Sequence, residues 1–188
     1  MVWGIHGVAT GVDQELTPHS VWGIYWQGAA LFLRHPPHFY SAVYTGKRFK
    51  CNRISALSNR GQLQFMIFKR NFNNSVCLKF LRRLLKHNRQ KVVLIWDGHP
   101  VHRSAAVAKF VAAHAARLNV YRLPTYSPDL NPDELVNNDV KSSALGRKRP
   151  RNQKQMIRNI RTHMQQRKDD PPLVRRFFQE ESVRYAAA

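Results

Sequence analysis

Acidic residues are scarce in this 188-residue sequence: eleven Asp and Glu stand against 31 Lys and Arg, a formal charge of +20. That excess is larger than the roughly 2–8 units that keep a small domain soluble, so charge is expected to serve a partner as well as solubility. Cysteine is nearly absent. Cys51 and Cys77 alone exclude a disulfide scaffold or a zinc finger and fit a reducing cytoplasm. Long apolar runs are missing as well: the densest, Ala29–Leu33 and Val92–Trp96, fall far short of the roughly 18 residues that cross a bilayer. No membrane span is expected. The opening Met1-Val2-Trp3-Gly4-Ile5-His6 lacks the positive and then apolar regions of a secretory signal, so a cytoplasmic location is expected. No internal repeat is visible. What is present is ordinary core material, 43% hydrophobic and 11% aromatic, which excludes a disordered basic tail and suggests one compact domain.

The acids are also placed late. Residues 1–96 hold 14 Lys and Arg and two acids, Asp13 and Glu15, whereas residues 97–188 hold 17 Lys and Arg and nine acids. A cationic field of this size attracts polyanions, and the expected partner is nucleic acid, with binding that weakens steeply in salt.

Residues 1–45 show no clear period and are expected to form an irregular N-terminal segment, leaving 46–188 as the organised domain. Arg53-Ile54-Ser55-Ala56-Leu57 and Gln62 to Phe68 alternate around the turn signal Asn59-Arg60-Gly61, which predicts a hairpin. From Asn73 or Asn74 to His87, Val76, Phe80, Leu81, Leu84 and Leu85 recur at three and four, with Arg82, Arg83 and Lys86 opposite, which predicts an amphipathic helix with a basic face. Lys91 to Trp96 reads as a strand buried on both sides. A helix from Ser104 to Arg117, a strand from Asn119 to Leu123, a helix opening at Asn131-Pro132, a polar helix from about Asn152 to Gln166 and a short helix around Leu173 to Phe178 complete the succession. Strands alternating with helices indicate an α/β domain whose ligands gather beyond the carboxyl ends of its central strands.

Asp97 falls at such an end, and Glu134 opens the helix after the proline-rich loop, with 36 residues between them. Two converging carboxylates repel unless a cation separates them, and a hard, oxygen-seeking ion such as Mg²⁺ or Mn²⁺ suits the pair. Local roles explain the same residues equally well: Asp97 can cap the next helix, and Glu134 can favour its own helix N-terminus. His99 and His102 are spaced as an H-x-x-H pair, but no helix or further Cys/His cluster supports zinc.

The segments Ile95-Trp96-Asp97-Gly98-His99-Pro100-Val101-His102-Arg103 and Leu123-Pro124-Thr125-Tyr126-Ser127-Pro128-Asp129-Leu130-Asn131-Pro132-Asp133-Glu134-Leu135, followed by Asp139-Val140-Lys141, resemble the catalytic core of the DDE-type transposases, nearest to the mariner-like branch of bacterial insertion sequences. The resemblance runs from about Thr45 to Tyr185. It implies a ribonuclease-H-like mixed sheet flanked by helices, in which three acids hold Mg²⁺ (or Mn²⁺) and DNA is cut and joined. The second acid of the pattern corresponds to Asp97 and the third to Glu134, in preference to its neighbour Asp133. His102, Arg103, Lys141, Arg147, Lys148, Arg149 and Arg151 are the residues expected to contact DNA, and Asn138 is expected to share the face of Glu134. Element ends and target DNA are the implied partners, with a homodimer as one assembly.

The first acid of the pattern is not evident. Asp13-Gln14-Glu15 is the only acidic pair before Asp97 and lies in no apolar strand, while Met1 to Gly7 resembles the segment that normally follows the first strand. The expectation is a transposase shortened or frame-disrupted at its N-terminus. Three readings stay open: a metal-dependent transposase core, a remnant that binds nucleic acid without cutting it, and a nuclease of the same fold acting on RNA.

Overall fold

The computed structural model describes residues 30–33, 38–44, 47–97, 99–124, 127–147 and 149–187. Among the described residues six strands form one mixed sheet: β1 (Ala30–Leu33), β2 (His38–Tyr44), β3 (Lys47–Ser58), β4 (Leu63–Phe68), β5 (Val92–Trp96) and β6 (Leu118–Arg122). Around it lie α1 (Asn74–His87), α2 (Ala105–Ala113), α3 (Asp133–Asp139), α4 (Gln153–Lys168) and α5 (Pro171–Arg176).

The predicted hairpin is β3–β4, paired from Asn52↔Phe68 to Leu57↔Leu63. Its turn closes where Gly61 takes φ +86°, a left-handed conformation that only glycine adopts without strain. One edge of β3 pairs with β4; the other pairs first with β2 and then, at Ala56 to Ser58, with β1. β1 runs parallel to β5, and β5 parallel to β6. Across the upper part of the sheet the order is therefore β4-β3-β1-β5-β6.

Two of these strands, β1 and β2, fall within residues 1–45, where an irregular segment was expected. They form because β3 extends back to Lys47 and offers an unpaired edge along its whole length. The remainder of that expectation, residues 1–29, 34–37 and 45, lies outside the described residues, as do Asp13 and Glu15.

Alternation along the strands divides the core in two. Ile54, Ala56, Met66, Leu94 and Trp96 pack beneath α1 and α2. Cys51, Leu57, Leu63 and Ile95 pack beneath α3, α4 and α5 with Val136, Val140, Ile160 and Val174. All five residues of β5 are buried, the outcome its unbroken apolar run requires when helices cover both faces. α1 starts at Asn73, whose side chain accepts from the Val76 N–H at 3.1 Å. α2 stops at Ala113, earlier than the expected Arg117, because residues 114–117 turn back: the N–H groups of Arg117 and Leu118 both donate to the His114 carbonyl at 2.8 Å. No helix among the described residues is long and apolar enough to cross a membrane.

Candidate active site

Asp97 is the first residue beyond the carboxyl end of β5 and is 22% exposed at its side chain. Its Oδ1 accepts from the His99 N–H at 3.2 Å and lies 3.7 Å from His102 Nε2. The following loop is braced from within: His99 Nδ1 accepts from the Val101 N–H at 3.1 Å and opens a 3₁₀ turn over Pro100–Arg103.

Glu134 reaches the same edge by a different route. The loop leaving β6 begins with the Leu123 N–H donating to the Trp96 carbonyl at 2.8 Å. It is held further on by the Tyr185 hydroxyl, which donates to the Leu130 carbonyl at 2.6 Å, and by Asn131, whose side chain accepts from the Asp133 N–H at 3.0 Å. Asp133 is then fastened to the sheet. Its carboxylate takes hydrogen bonds from Arg53 Nη1 at 3.1 Å, Arg53 Nη2 at 3.4 Å and Ser55 Oγ at 2.5 Å, with Arg53 also bonded to Ser55. Arg53, Ser55 and Asp133 are all fully buried.

Strand register shows where this anchor stands. Leu33 pairs with Ala56 on one side and Trp96 on the other, so Ser55 of β3 lies level with Asp97, two strand spacings or about 10 Å away. Ser55 shares the phase of Leu57, and Asp97 that of Ile95, both of which face α3. The start of α3 and Asp97 thus occupy the same end and the same face of the sheet. Glu134 is one residue from the anchored Asp133 and about 100° around the helix. It is half-buried, and its Oε2 accepts from Asn137 Nδ2 at 3.1 Å.

This arrangement separates the roles of the two adjacent acids: Asp133 is committed to a buried ion pair, whereas Glu134 is accessible. Arg53, Ser55 and Asn137 were not legible as site residues. Arg53 and Ser55 occupy the polar phase of an alternating strand, which looks solvent-facing until α3 covers it. Asn137, one turn after Glu134, makes the contact to Glu134, and Asn138, expected to share that acid's face, is exposed.

His102 requires a correction. It was expected to face phosphate, but it is 1% exposed and stacks on Trp96 at 4.2 Å between ring centroids, with Cys77 Sγ 3.9 Å from Nδ1. Burial, reinforced by the charges of His99 and Arg122, lowers it to about 3, so it is a neutral core histidine. Arg103, by contrast, is exposed, as are Lys141, Arg147, Arg149 and Arg151; Lys148 lies outside the described residues. Lys141 does not continue the α-helical face of Glu134, because Val140–Gly146 is π-helical, with the Arg147 N–H reaching the Ser142 carbonyl at 3.2 Å. Just before that segment, Asp139 accepts from Arg167 Nε at 2.6 Å and Nη2 at 3.0 Å and lies 2.8 Å from His163 Nε2.

Among the described residues no group of three or more His, Cys, Asp or Glu side chains is placed to share a metal ion. The zinc reading gains nothing from His99 and His102, which form no such group. The strand beside Asp97 is β1, Ala30-Leu31-Phe32-Leu33, and none of its residues is acidic.

Residues 40–157 match the family model for the DDE superfamily endonuclease, well over half of the chain. A search of curated proteins returned no match. Among solved structures, the fold is similar to the catalytic domain of Mos1 mariner transposase, with 17% identity and a TM-score of 0.61 over 82% of this chain and 78% of that one. The Mos1 strand transfer complex gives 16% identity and a TM-score of 0.61 over 83% of this chain, which spans about half, 52%, of the chain matched. The Mos1 catalytic domain with Raltegravir and Mg gives 15% identity and a TM-score of 0.52 over 84% of each chain. These likenesses fit the sheet order described above and identify the fold as ribonuclease-H-like. Sequence motif, sheet topology and family model agree, and the chain belongs to the DDE superfamily endonucleases.

Proposed function

We propose that this chain is the catalytic domain of a mariner-like, insertion-sequence transposase, in which Asp97 and Glu134 hold a divalent ion and the surrounding cations hold DNA. The observation that carries this reading is the shared edge: a carboxylate at the end of β5 and another at the start of α3, on one face, with the latter helix pinned by Asp133 to Arg53 and Ser55. The donor set fits Mg²⁺ or Mn²⁺, which prefer carboxylate oxygen, and offers no thiolate or imidazole set suited to zinc. The Mos1 catalytic domain has been solved with Mg and with Mn.

When bound, the metal supplies activation of a water or 3′-hydroxyl and stabilisation of the leaving oxygen. The protein's own residues do the positioning. Asn137 steadies the Glu134 carboxylate by donating to Oε2, and the His99 N–H steadies Asp97 by donating to Oδ1. Arg103, Lys141, Arg147, Lys148, Arg149 and Arg151 neutralise phosphates and fix the duplex without reading its sequence. The insertion-sequence context and a homodimer that unites two element ends belong to the same proposal; light scattering with and without DNA measures the latter.

A second reading is favoured by one observation: the strand in the central position next to β5 carries no acid. A two-carboxylate site lacks part of the ligand set of a two-metal reaction, and the chain then binds DNA without cutting it. Nicking of supercoiled plasmid with Mg²⁺ or Mn²⁺ separates the two. Loss of nicking in Asp97→Asn and in Glu134→Gln supports the catalytic reading, and nicking that survives both rejects the site. A parent protein that binds the plasmid and leaves it intact establishes the non-cleaving reading.

A further inference from the structure

The face of the sheet opposite the candidate site carries its own concentration of charge. From Lys69 to Lys91, the stretch that contains α1, the chain has eight Lys and Arg and no acid. Within α1 the cations are ordered: Lys79, Arg82, Arg83 and Lys86 follow at i, i+3, i+4 and i+7, all exposed, while Cys77, Phe80, Leu81, Leu84 and Leu85 on the other side are buried. The stripe is about 10 Å long, or roughly three base-pair steps of duplex. Arg89 and Lys91 follow the helix and are exposed, as is Lys109 on the neighbouring α2.

Internal needs of the helix do not account for this pattern. Lys79 with Arg83, and Arg82 with Lys86, are like-charge pairs at i, i+4, which weaken a helix. Only the last turn gains from cations through the helix dipole, and it already receives Arg117, which donates to the Leu85 carbonyl at 2.8 Å and the Asn88 carbonyl at 2.6 Å. No ion pair among the described residues involves the four α1 cations. One of them is held in place: the Arg82 guanidinium lies over the Phe110 ring of α2, 5.6 Å from its centroid.

We propose that the exposed face of α1 is a second DNA-binding surface, a phosphate-backbone contact on the opposite side of the sheet from Asp97 and Glu134. The ligand is duplex DNA, engaged by charge and without base contacts. A single straight duplex does not reach both faces of the sheet, so this surface holds a segment different from the one at the candidate site. The inference does not depend on metal binding or cleavage.

The test uses the full chain in EDTA and a fluorescent duplex of about 20 base pairs, followed by anisotropy between 50 and 200 mM salt. In the variant Lys79→Gln/Arg82→Gln/Arg83→Gln/Lys86→Gln, loss of four phosphate contacts should flatten the log–log salt slope by about 3–4. The affinity lost across that salt range should then be about 100-fold smaller than in the parent. A control, Lys154→Gln/Arg158→Gln/Arg175→Gln/Arg176→Gln, removes equal charge from exposed positions on α4 and α5. It should change the slope by less than half as much. Circular dichroism verifies that each variant is folded; if the α1 variant is not, the single substitutions Arg83→Gln and Lys86→Gln replace it, each expected to flatten the slope by about one. Equal effects in variant and control, or an unchanged slope, overturns the proposal.

Discussion

Arg53 and Asp133 bring opposite charges into a place from which water is excluded, and neither tolerates the loss of the other. Asp133→Asn leaves a buried guanidinium without its counter-charge and should destabilise the fold by about 3–5 kcal/mol. Arg53→Met combined with Asp133→Leu should recover much of that loss; urea denaturation of the three variants provides the comparison, and a double variant no better than the single one would argue against the pair. Asp139 gives a prediction in pH. Burial alone would raise its carboxyl, but hydrogen bonds from His163 and Arg167 prevail and hold it below its ordinary value of 3.8. A carboxylate depressed in the folded state contributes stability above the unfolded value and loses it as pH falls. The stability gap between the parent and Asp139→Asn should therefore be full at pH 6 and shrink below pH 4, as read from urea melts. The thiols of Cys51 and Cys77, raised by burial to about 11 and about 12, should resist alkylation at pH 8 until the protein is unfolded.

At the scale of elements, the β3–β4 turn is held by more than its own hydrogen bonds. A Cβ on Gly61 would stand 2.6 Å from the Pro171 carbonyl oxygen at the start of α5, in addition to the strain of φ +86°. Gly61→Ala should cost more than about 1 kcal/mol in thermal or chemical denaturation. The hairpin and α1 were legible in the sequence because their apolar periods are unmixed, and β5 because its apolar run is unbroken. The π-helical segment after α3 was not; at the point where the helix widens, α4 places His163 and Arg167 against Asp139. That widening is why Lys141 departs from the face on which a 3.6-residue period had put it.

For the molecule as a whole, a charge of +20 opposes compaction, and salt or a polyanion relieves it. The melting temperature should rise when salt is increased from about 20 to 200 mM, and rise further on adding duplex DNA at low salt, where binding to the folded state adds to stability. A melting temperature indifferent to both would contradict the electrostatic account. The two helical layers divide the charge between them: nine of the eleven acids come after Trp96, and the α1 layer keeps its cations largely uncompensated.

Composition, period and motif sufficed to establish an α/β domain, and to single out a polyanion as the expected partner and Asp97 and Glu134 as the candidate pair, because charge and hydrophobic phase are properties of residues in order. They could not tell Glu134 from Asp133 by chemistry, nor a buried His102 from an exposed one. Those distinctions depend on which side chain another element covers: α3 over Arg53 and Ser55, Trp96 against His102. Burial is a property of neighbours in space, so only the folded chain assigns it.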